Sequence, residues 1–435
     1  MTAHGFGRGH YAPGLHGSLL TQRFDAFPAG EPEKESGLLS RAPRLIFVLE
    51  DTVDVRLLEI LCRISSLTLI VPLETFYGSH LNHDIRNSGL NLPVHIIPGD
   101  RLEFHWRLAR LLTSHPDRYD ILMSQEERGT SLVAGILGKI TGKPSLLFHE
   151  VPIEDYLWRQ IQQKKLDGKK KQKLYITYLK TRAVRAANRL LTSRCLAVGP
   201  YLANQFRRHS HKVTMCQSHG INTDIYFPLS EDSRFELRKK LRLPQDRFLV
   251  LTACGQKLNG LASHTIFLKS IAHLKKAGID VLPIDTSSND MPLSSVAHKI
   301  GYHEWSRQIL HRPFNPHDNK TKAEYLQCVD AVAHTFLEDG HTMAALEALA
   351  CGTPTVLTAI GGLRHHIRDF ARLVPAHDTQ AIARELSWIY NEKASARKKA
   401  LAGSEYIKRY WSKKVAETTI RTALNDSWSA GIEVK

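Results

Sequence analysis

Strand-like and helix-like segments alternate along most of this chain, and this alternation restricts its fold more than any other feature. Short apolar runs at residues 44–49 and 67–71 are each accompanied by a segment with apolar residues at helical spacing. A first block of such segments ends near residue 215, and a second begins at residue 248. Alternation of this kind predicts parallel sheets with helices on both faces. We therefore expect an α/β protein.

Composition sets the broad class. A chain of 435 residues with 42% hydrophobic and 23% charged residues is typical of a soluble globular protein of two or three domains. The six cysteines show no CxxC spacing, which indicates reduced thiols in a cytoplasmic protein, and the 23 histidines form no motif typical of a metal site. Residues 1–42 are rich in Gly, Pro, Ser and charge, so we expect a poorly ordered leader and no signal peptide.

Residues 336–362 carry the most informative chemistry. Asp339 and Glu347 are separated by seven residues across a turn of small residues that opens a predicted helix, which Gly352 and Pro354 end before a short buried strand. The N-terminus of such a helix offers free backbone N–H groups and a positive dipole end, which suit a phosphate. An acid one or two turns further along can reach a ribose hydroxyl. This pattern predicts a nucleotide-sugar site.

The segment resembles the donor-site signature of retaining glycosyltransferases of family 4. The usual form is Glu-Gly-Phe-Gly, four residues, then Glu-Ala-Met-Ala-Cys-Gly-Thr-Pro; Asp339 stands at the first glutamate and Glu347 at the second. The resemblance implies the GT-B architecture: two Rossmann-like domains facing a cleft, with a C-terminal helix crossing back to the first domain. It also implies transfer of a sugar from a nucleotide-diphosphate donor to an acceptor hydroxyl with retention, without cofactor or metal.

The resemblance extends over residues 119–425. Residues 219–228 resemble the family's interdomain hinge, and Trp411 with Val415-Ala416 resembles its closing segment. These matches predict an acceptor domain at residues 43–222, a donor domain at residues 223–410, and a crossover helix and tail at residues 411–435.

Candidate site residues come from both predicted domains. His149 follows a strand and takes the place of the family's Val-His-Asp histidine, so the resemblance implies contact with the donor sugar or the reacting centre. With Asp339, it is the predicted catalytic pair. Three further acids, Glu150, Glu126 and Glu127, lie at neighbouring strand ends. The sequence leaves open whether they contact the acceptor or are ordinary loop carboxylates. The predicted donor contacts are Gly255, Gln256, Lys257, Gly340, His341, Thr342, Met343 and Glu347.

The first loop of the predicted donor domain departs from the family. Gln256 stands where an arginine is usual, and Leu261-Ala262 lies near the usual lysine, which leaves Lys257 as a replacement charge for the diphosphate. Loss of a cation there costs about 1.5–3 kcal/mol of binding free energy if nothing replaces it. A catalytically inactive nucleotide-sugar-binding scaffold is therefore an alternative function.

Net charge is +16 and unevenly distributed, because residues 159–194 hold twelve Lys or Arg against one acid. Ile176, Leu179, Ala183, Ala186 and Leu190 recur there at helical spacing, which predicts a basic amphipathic helix. It is either a solvated surface helix or a contact for anionic lipid. Nucleic acid is disfavoured because few aromatic residues interleave with the charges, although a nucleic-acid-directed enzyme remains an alternative. The lysines singled out for the membrane or acceptor side are Lys169, Lys170, Lys171 and Lys173.

The acceptor stays open at the level of sequence: a cell-envelope glycan, a lipid-linked acceptor or another hydroxyl compound. We expect a cytoplasmic protein that associates peripherally with the inner face of the membrane.

Overall fold

The computed structural model describes residues 41–126, 128–162, 167–207, 212–252, 260–286, 292–312, 318–335, 343–360, 362 and 367–433. Two sheets, each parallel throughout, form the two halves of this part of the chain. The central strands of both sheets are almost wholly buried, because helices cover both faces, whereas the outermost strands are only partly buried.

The first sheet has seven strands in the order β3-β2-β1-β4-β5-β6-β7. Its strands are β1 (Arg44–Val48), β2 (Ser66–Pro72), β3 (Val94–Ile97), β4 (Ile121–Gln125), β5 (Ser145–His149), β6 (Arg194–Val198) and β7 (Val213–Cys216). Its helices are α1 (Val55–Ile64), α2 (Leu73–Gly78), α3 (Leu81–Ser88), α4 (Arg101–Ser114), α5 (Gly129–Thr141), α6 (Ile153–Gln162), α7 (Gly168–Leu191) and α8 (Gly199–Arg207).

The second sheet has six strands in the order β10-β9-β8-β11-β12-β13. Its strands are β8 (Phe248–Thr252), β9 (Val281–Asp285), β10 (Leu310–His311), β11 (Ala331–His334), β12 (Thr355–Thr358) and β13 (Arg372–Val374). The helices that follow β7 are α9 (Glu231–Lys240), α10 (Gly260–Lys276), α11 (Leu293–Lys299), α12 (His303–Ser306), α13 (Asn319–Cys328), α14 (Met343–Ala350), α15 (Thr379–Asn391), α16 (Lys393–Tyr410) and α17 (Lys413–Glu433).

Local sequence chemistry explains where several of these elements begin and end. The Asp54 side chain accepts a hydrogen bond from the Arg56 backbone N–H and caps α1, and Asp100 caps α4 in the same way. Gly142 takes a left-handed conformation after α5 and turns the chain toward β5. The strand order reverses between β1 and β4 and again between β8 and β11. Ligands of open parallel sheets bind at the carboxyl ends of strands beside such reversals.

The crossover helix α17 ties the end of the chain to the first domain. The backbone N–H of Ile221 donates to the Trp411 carbonyl over 2.7 Å, and Lys413 Nζ lies 2.9 Å from Glu59 Oε2 on α1. Gly220 has a φ of +65°, and a Cβ there would lie 2.7 Å from the Ser412 carbonyl oxygen. The chain therefore needs glycine where the hinge segment meets the start of the crossover helix.

The predicted α/β architecture with two Rossmann-like domains and a returning C-terminal helix is confirmed. Strand β10 has only two residues, too few to give a hydrophobic pattern in the sequence. The predicted domain limits stay predictions, and residues 1–40 of the predicted leader lie outside the described residues.

Candidate functional site

The carboxyl ends of β4 and β5 bring Glu126 and His149 together. Glu126 Oε2 lies 2.7 Å from His149 Nδ1, and Glu126 Oε1 accepts hydrogen bonds from the backbone N–H groups of Glu150 and Val151 at 2.9 and 3.2 Å. Glu126 adopts a left-handed φ of 59°, which is unfavourable for a residue other than glycine. Backbone strain of this kind is concentrated at functional sites.

The imidazole of His149 is fully buried. Its ring makes an edge-to-face contact with Phe206, with the ring centroids 5.0 Å apart. His149 therefore lies at the carboxyl end of β5, as expected from the sequence. Its ring, however, is enclosed by protein rather than open to the cleft. Its contact with the sugar or the reacting centre stays a prediction.

Glu150 lies next to this pair and faces the segment after β7. Ser218 Oγ donates to Glu150 Oε1 over 2.8 Å, and Ser218 has a left-handed φ of 54°. Burial raises the pKa of Glu150; the Ser218 hydrogen bond opposes this effect, and the nearby Glu126 charge adds to it. The Glu150 carboxyl group thus holds a proton more readily than an ordinary glutamate because its pKa is raised.

Asp54 and Arg56 extend the cluster from the start of α1. Asp54 accepts from Arg56 Nε at 3.0 Å and from Arg56 Nη2 at 2.7 Å, and its Oδ2 lies 3.3 Å from His219 Nε2. Burial alone would raise the pKa of Asp54, but His219 and Arg56 outweigh it and hold that pKa well below its usual range. Asp54 is therefore an anion held between two partners.

Glu347 lies in α14, on the second domain, and its carboxylate is fully buried. Its Oε1 accepts from Arg56 Nη1 over 2.9 Å, and its Oε2 forms an ion pair with Lys322 of α13. Burial opposes ionisation, but Lys322 and Arg56 lower the pKa of Glu347 to about 2. A line of ionisable groups thus runs from the first domain to the second: His219, Asp54, Arg56, Glu347 and Lys322.

The acidic loop after β1 is occupied by contacts within the first domain. Glu50 lies 2.9 Å from His105 Nε2 and 3.0 Å from Arg101 Nη2, and Asp51 lies 2.8 Å from Arg128 Nη2. Burial raises the pKa of Glu50, but hydrogen bonds from His105 and Arg101 outweigh it and bring that pKa to about 2.

The predicted site residues are thus only partly within the described structure. Met343 opens α14 and Glu347 lies one turn beyond it, while His149, Glu150 and Glu126 lie together at the edge of the first sheet. The predicted residues that lie outside the described structure are Gly255, Gln256, Lys257, Asp339, Gly340, His341 and Thr342, together with Glu127.

Sequence reasoning missed Arg56, Lys322 and His219. Arg56 follows an N-cap aspartate by two residues, which is the only local signal, and 291 positions separate it from Glu347. His219 is the first residue of the hinge segment that resembles the family, so it was within reach of the motif argument. Within the described ranges, no group of three or more His, Cys, Asp or Glu is placed to hold a metal ion.

Helix α7 presents its predicted apolar stripe outward. Ile176, Leu179 and Leu190 are 47%, 48% and 81% exposed, whereas the inward positions are Arg185, paired with Glu154, and Asn188, bonded to Ser131. The lysines predicted for this surface, Lys169, Lys170, Lys171 and Lys173, are all exposed. No helix in the described part of the chain is long and apolar enough to span a bilayer.

Two parallel-sheet domains that meet at a charged cleft define a GT-B protein. Residues 295–406, which include α14 and Glu347, match the family model described as glycosyl transferases group 1. Over these residues the match confirms the resemblance to glycosyltransferases that the sequence shows.

Curated relatives match over part of their length. The D-inositol 3-phosphate glycosyltransferase of Xylanimonas cellulosilytica is 30% identical over 172 residues, 38% of this chain and 40% of that protein. The enzyme of the same name from Streptomyces bingchenggensis is 25% identical over 210 residues, 46% of this chain and 45% of that protein. The chain thus spans less than half the length of these relatives.

Solved structures match over nearly the whole fold. Sucrose-phosphate synthase from Thermosynechococcus elongatus aligns with a TM-score of 0.63 and 15% identity, covering 89% of this chain and 100% of that one. HepE of Anabaena in complex with UDP aligns with a TM-score of 0.64 and 14% identity, covering 88% of this chain and 100% of that one. At these identities the likeness establishes the fold.

Proposed function

We propose that this protein transfers a sugar from a nucleoside-diphosphate sugar to an acceptor hydroxyl. The observation that carries the proposal is Glu347, a buried and ionised carboxylate one turn into α14, within the segment that matches the family. Two kinds of similarity support the donor class. The curated relatives are named glycosyltransferases, and solved HepE structures of the same fold contain UDP or UDP-glucose.

In this proposal the nucleotide binds against the second domain. The N-terminus of α14 faces the phosphates with its free N–H groups and its positive dipole end, and Glu347 accepts hydrogen bonds from the ribose hydroxyls. Catalysis is largely electrostatic, because these groups and Lys257 stabilise the charge that develops on the departing diphosphate. Retention of the anomeric configuration is proposed from the family resemblance, and no step uses a metal.

The first domain supplies the acceptor side. Glu150 holds a proton more readily than an ordinary glutamate, so it suits a hydrogen bond to the acceptor hydroxyl. His149 lies one residue earlier in the chain, and the Glu126 carboxylate, 2.7 Å from its Nδ1, holds the ring in one orientation. In the proposal His149 and Asp339 act at the transferred sugar.

A screen for nucleotide release from UDP-, GDP- and ADP-sugars tests the activity. Slow hydrolysis of one donor class, together with calorimetric binding of the matching nucleoside diphosphate, is the expected result. Binding without turnover toward a range of hydroxyl acceptors would favour an inactive nucleotide-sugar-binding scaffold. Absence of any nucleotide binding would remove the donor site altogether.

We further propose that the protein docks on an anionic membrane surface, where a lipid-linked acceptor is presented to the cleft. The supporting observation is a set of exposed apolar side chains on three helices, of which α5 packs against both α4 and α7. We name it the three-helix face; it comprises Leu102 and Trp106 of α4, Ile136 and Ile140 of α5, and Ile176, Leu179 and Leu190 of α7.

The charge around the three-helix face fits an anionic partner. Helix α7 contains eight Lys or Arg and no acid, and α5 adds Lys139 without any acid. Each cation near an anionic bilayer contributes about 1 kcal/mol before screening, and apolar side chains that enter the interface add to that. Leu102 and Trp106 of α4 are four residues apart, as are Ile136 and Ile140 of α5, so each pair projects from one side of its helix. The apolar stripe of α7 likewise lies on one side of that helix.

A further inference from the structure

Arg56 lies at the seam between the two domains. It belongs to the first turn of α1, and its guanidinium contacts Asp54 of its own domain through Nε at 3.0 Å and Nη2 at 2.7 Å. Its remaining nitrogen, Nη1, reaches Glu347 of the second domain over 2.9 Å. The side chain keeps 25% of its surface exposed, so it is held in place and yet remains partly accessible to solvent.

The position of Glu347 places this guanidinium near the proposed phosphate position. Met343 is the first residue of α14, and a helix rises 1.5 Å per residue, so Glu347 lies about 6 Å along the axis from that end. An arginine side chain bonded to Glu347 can turn to an anion at the helix N-terminus without movement of its backbone. A guanidinium presents a planar fork that matches two phosphate oxygens at once.

Among the described residues of the second domain, Lys322 is the cation that contacts Glu347. The loop of residues 253–259 lies outside the described structure, and its sequence contains one cation, Lys257. Lys322 pairs with the second oxygen of Glu347 and lies on the far side of that carboxylate from Arg56. Of the two described cations that contact Glu347, Arg56 is therefore the one that we expect at a diphosphate.

We propose that Arg56 is a ligand of the donor diphosphate that the first domain supplies. This inference rests on the proposed nucleotide-sugar donor. In the structure Arg56 donates to Glu347 Oε1, the oxygen that a ribose hydroxyl approaches in the proposed function. When the donor binds, Arg56 exchanges Glu347 for phosphate oxygens, Lys322 keeps its pairing, and the freed Glu347 oxygen accepts the ribose hydroxyl. The exchange brings the first domain onto the nucleotide.

Removal of Arg56 thus has two opposite effects on binding. The phosphates lose a charged hydrogen-bond partner, whereas the ribose gains a carboxylate that no longer has a competitor. The ratio of affinities for a nucleoside diphosphate and for its parent nucleoside separates the two effects, because the ribose term is common to both ligands.

The experiment titrates the full-length wild type, Arg56→Ala and Arg56→Gln with UDP, GDP and ADP and with uridine, guanosine and adenosine by calorimetry. We expect both variants to reduce the diphosphate-to-nucleoside affinity ratio by about 10- to 100-fold, the range for loss of a charged hydrogen bond. Arg56→Gln keeps a donor for Glu347 while removing the charge, so it decides the matter if Arg56→Ala does not fold.

Arg247→Ala is the matched control, because it removes an arginine ion pair, with Asp280, that lies just before strands β8 and β9 and so at the opposite end of the second sheet from the carboxyl ends. Its affinity ratio should equal that of the wild type. An unchanged ratio in the Arg56 variants, with all ligands bound more tightly or all equally weakly, would overturn the inference and leave Arg56 as a structural cap on Glu347. A wild type that binds none of the six ligands would instead refute the proposed donor.

Discussion

Glu347 combines two roles that the sequence alone did not connect. The motif predicts a ribose ligand, and the structure adds that the same carboxylate is a fully buried ion-pair centre for Arg56 and Lys322. Loss of one partner of a buried pair costs about 3–5 kcal/mol, because the remaining charges stay buried without compensation. Glu347→Gln should therefore weaken nucleotide binding and also lower the free energy of unfolding by about that amount, as measured in urea. Glu417→Gln, on a partly exposed pair with Arg421, should cost less than about 1 kcal/mol.

The pH dependence of stability tests the same residue independently. The folded-state pKa of Glu347 is about 2 and its unfolded value is 4.5, so its contribution is complete above 4.5 and is lost as the pH falls toward 2. The shift corresponds to about 3 kcal/mol. The stability difference between wild type and Glu347→Gln should thus be constant from pH 7 to 5 and shrink by pH 3. A difference that is the same at pH 7 and pH 3 would contradict this assignment.

Substitution of His149 in the first domain distinguishes a catalytic role of this residue from a packing role. We expect His149→Ala to lower turnover by about 10²- to 10⁴-fold with nucleotide affinity little changed, since the nucleotide is proposed to bind the second domain. Because the ring is buried against Phe206, the variant should also lose stability, so turnover is measured per folded molecule. Glu126→Gln removes the charge beside His149 Nδ1 and should lower kcat with KM unchanged. Wild-type specific activity in both folded variants would assign the pair to packing alone.

Helix α7 shows what element-scale patterns predict and what they leave open. Apolar spacing correctly predicted a helix with one apolar stripe, but periodicity does not say which way the stripe faces, and here Arg185 and Asn188 take the inner side. Strand β8 was predictable because all five of its residues are buried and largely apolar. The Arg56–Glu347 contact was not, because it depends on how two domains meet rather than on local sequence.

The outward stripe on α7 yields a prediction for membrane binding. Changing Lys169, Lys170, Lys171 and Lys173 to Glu should abolish cosedimentation with anionic liposomes at low salt, and should spare transfer to a soluble acceptor. A matched control changes four exposed lysines of the second domain by the same total charge: Lys276, Lys393, Lys398 and Lys408. Equal loss in both variants would show non-specific attraction by net charge. A wild type that ignores anionic liposomes, or that binds RNA instead, would refute the proposed membrane contact.

At the scale of the whole molecule, the junction at Gly220 determines how the crossover helix returns to the first domain. Gly220→Ala introduces a Cβ at 2.7 Å from the Ser412 carbonyl and 2.8 Å from Lys413 backbone atoms, at a φ of +65°. The left-handed backbone costs about 1–2 kcal/mol, and forced displacement of a packed backbone adds about 1–3 kcal/mol. Gly278→Ala measures the cost of the left-handed backbone alone, because Gly278 has a φ of +80° with nothing within 4 Å of the added Cβ.

Urea unfolding should therefore show a larger loss in the free energy of unfolding for Gly220→Ala than for Gly278→Ala. Only Gly220→Ala should also lower transfer activity, since it shifts the crossover helix and with it the seam at Arg56 and Glu347. Equal stability losses with unchanged activity would mean that the junction tolerates displacement and does not set the distance between the two domains.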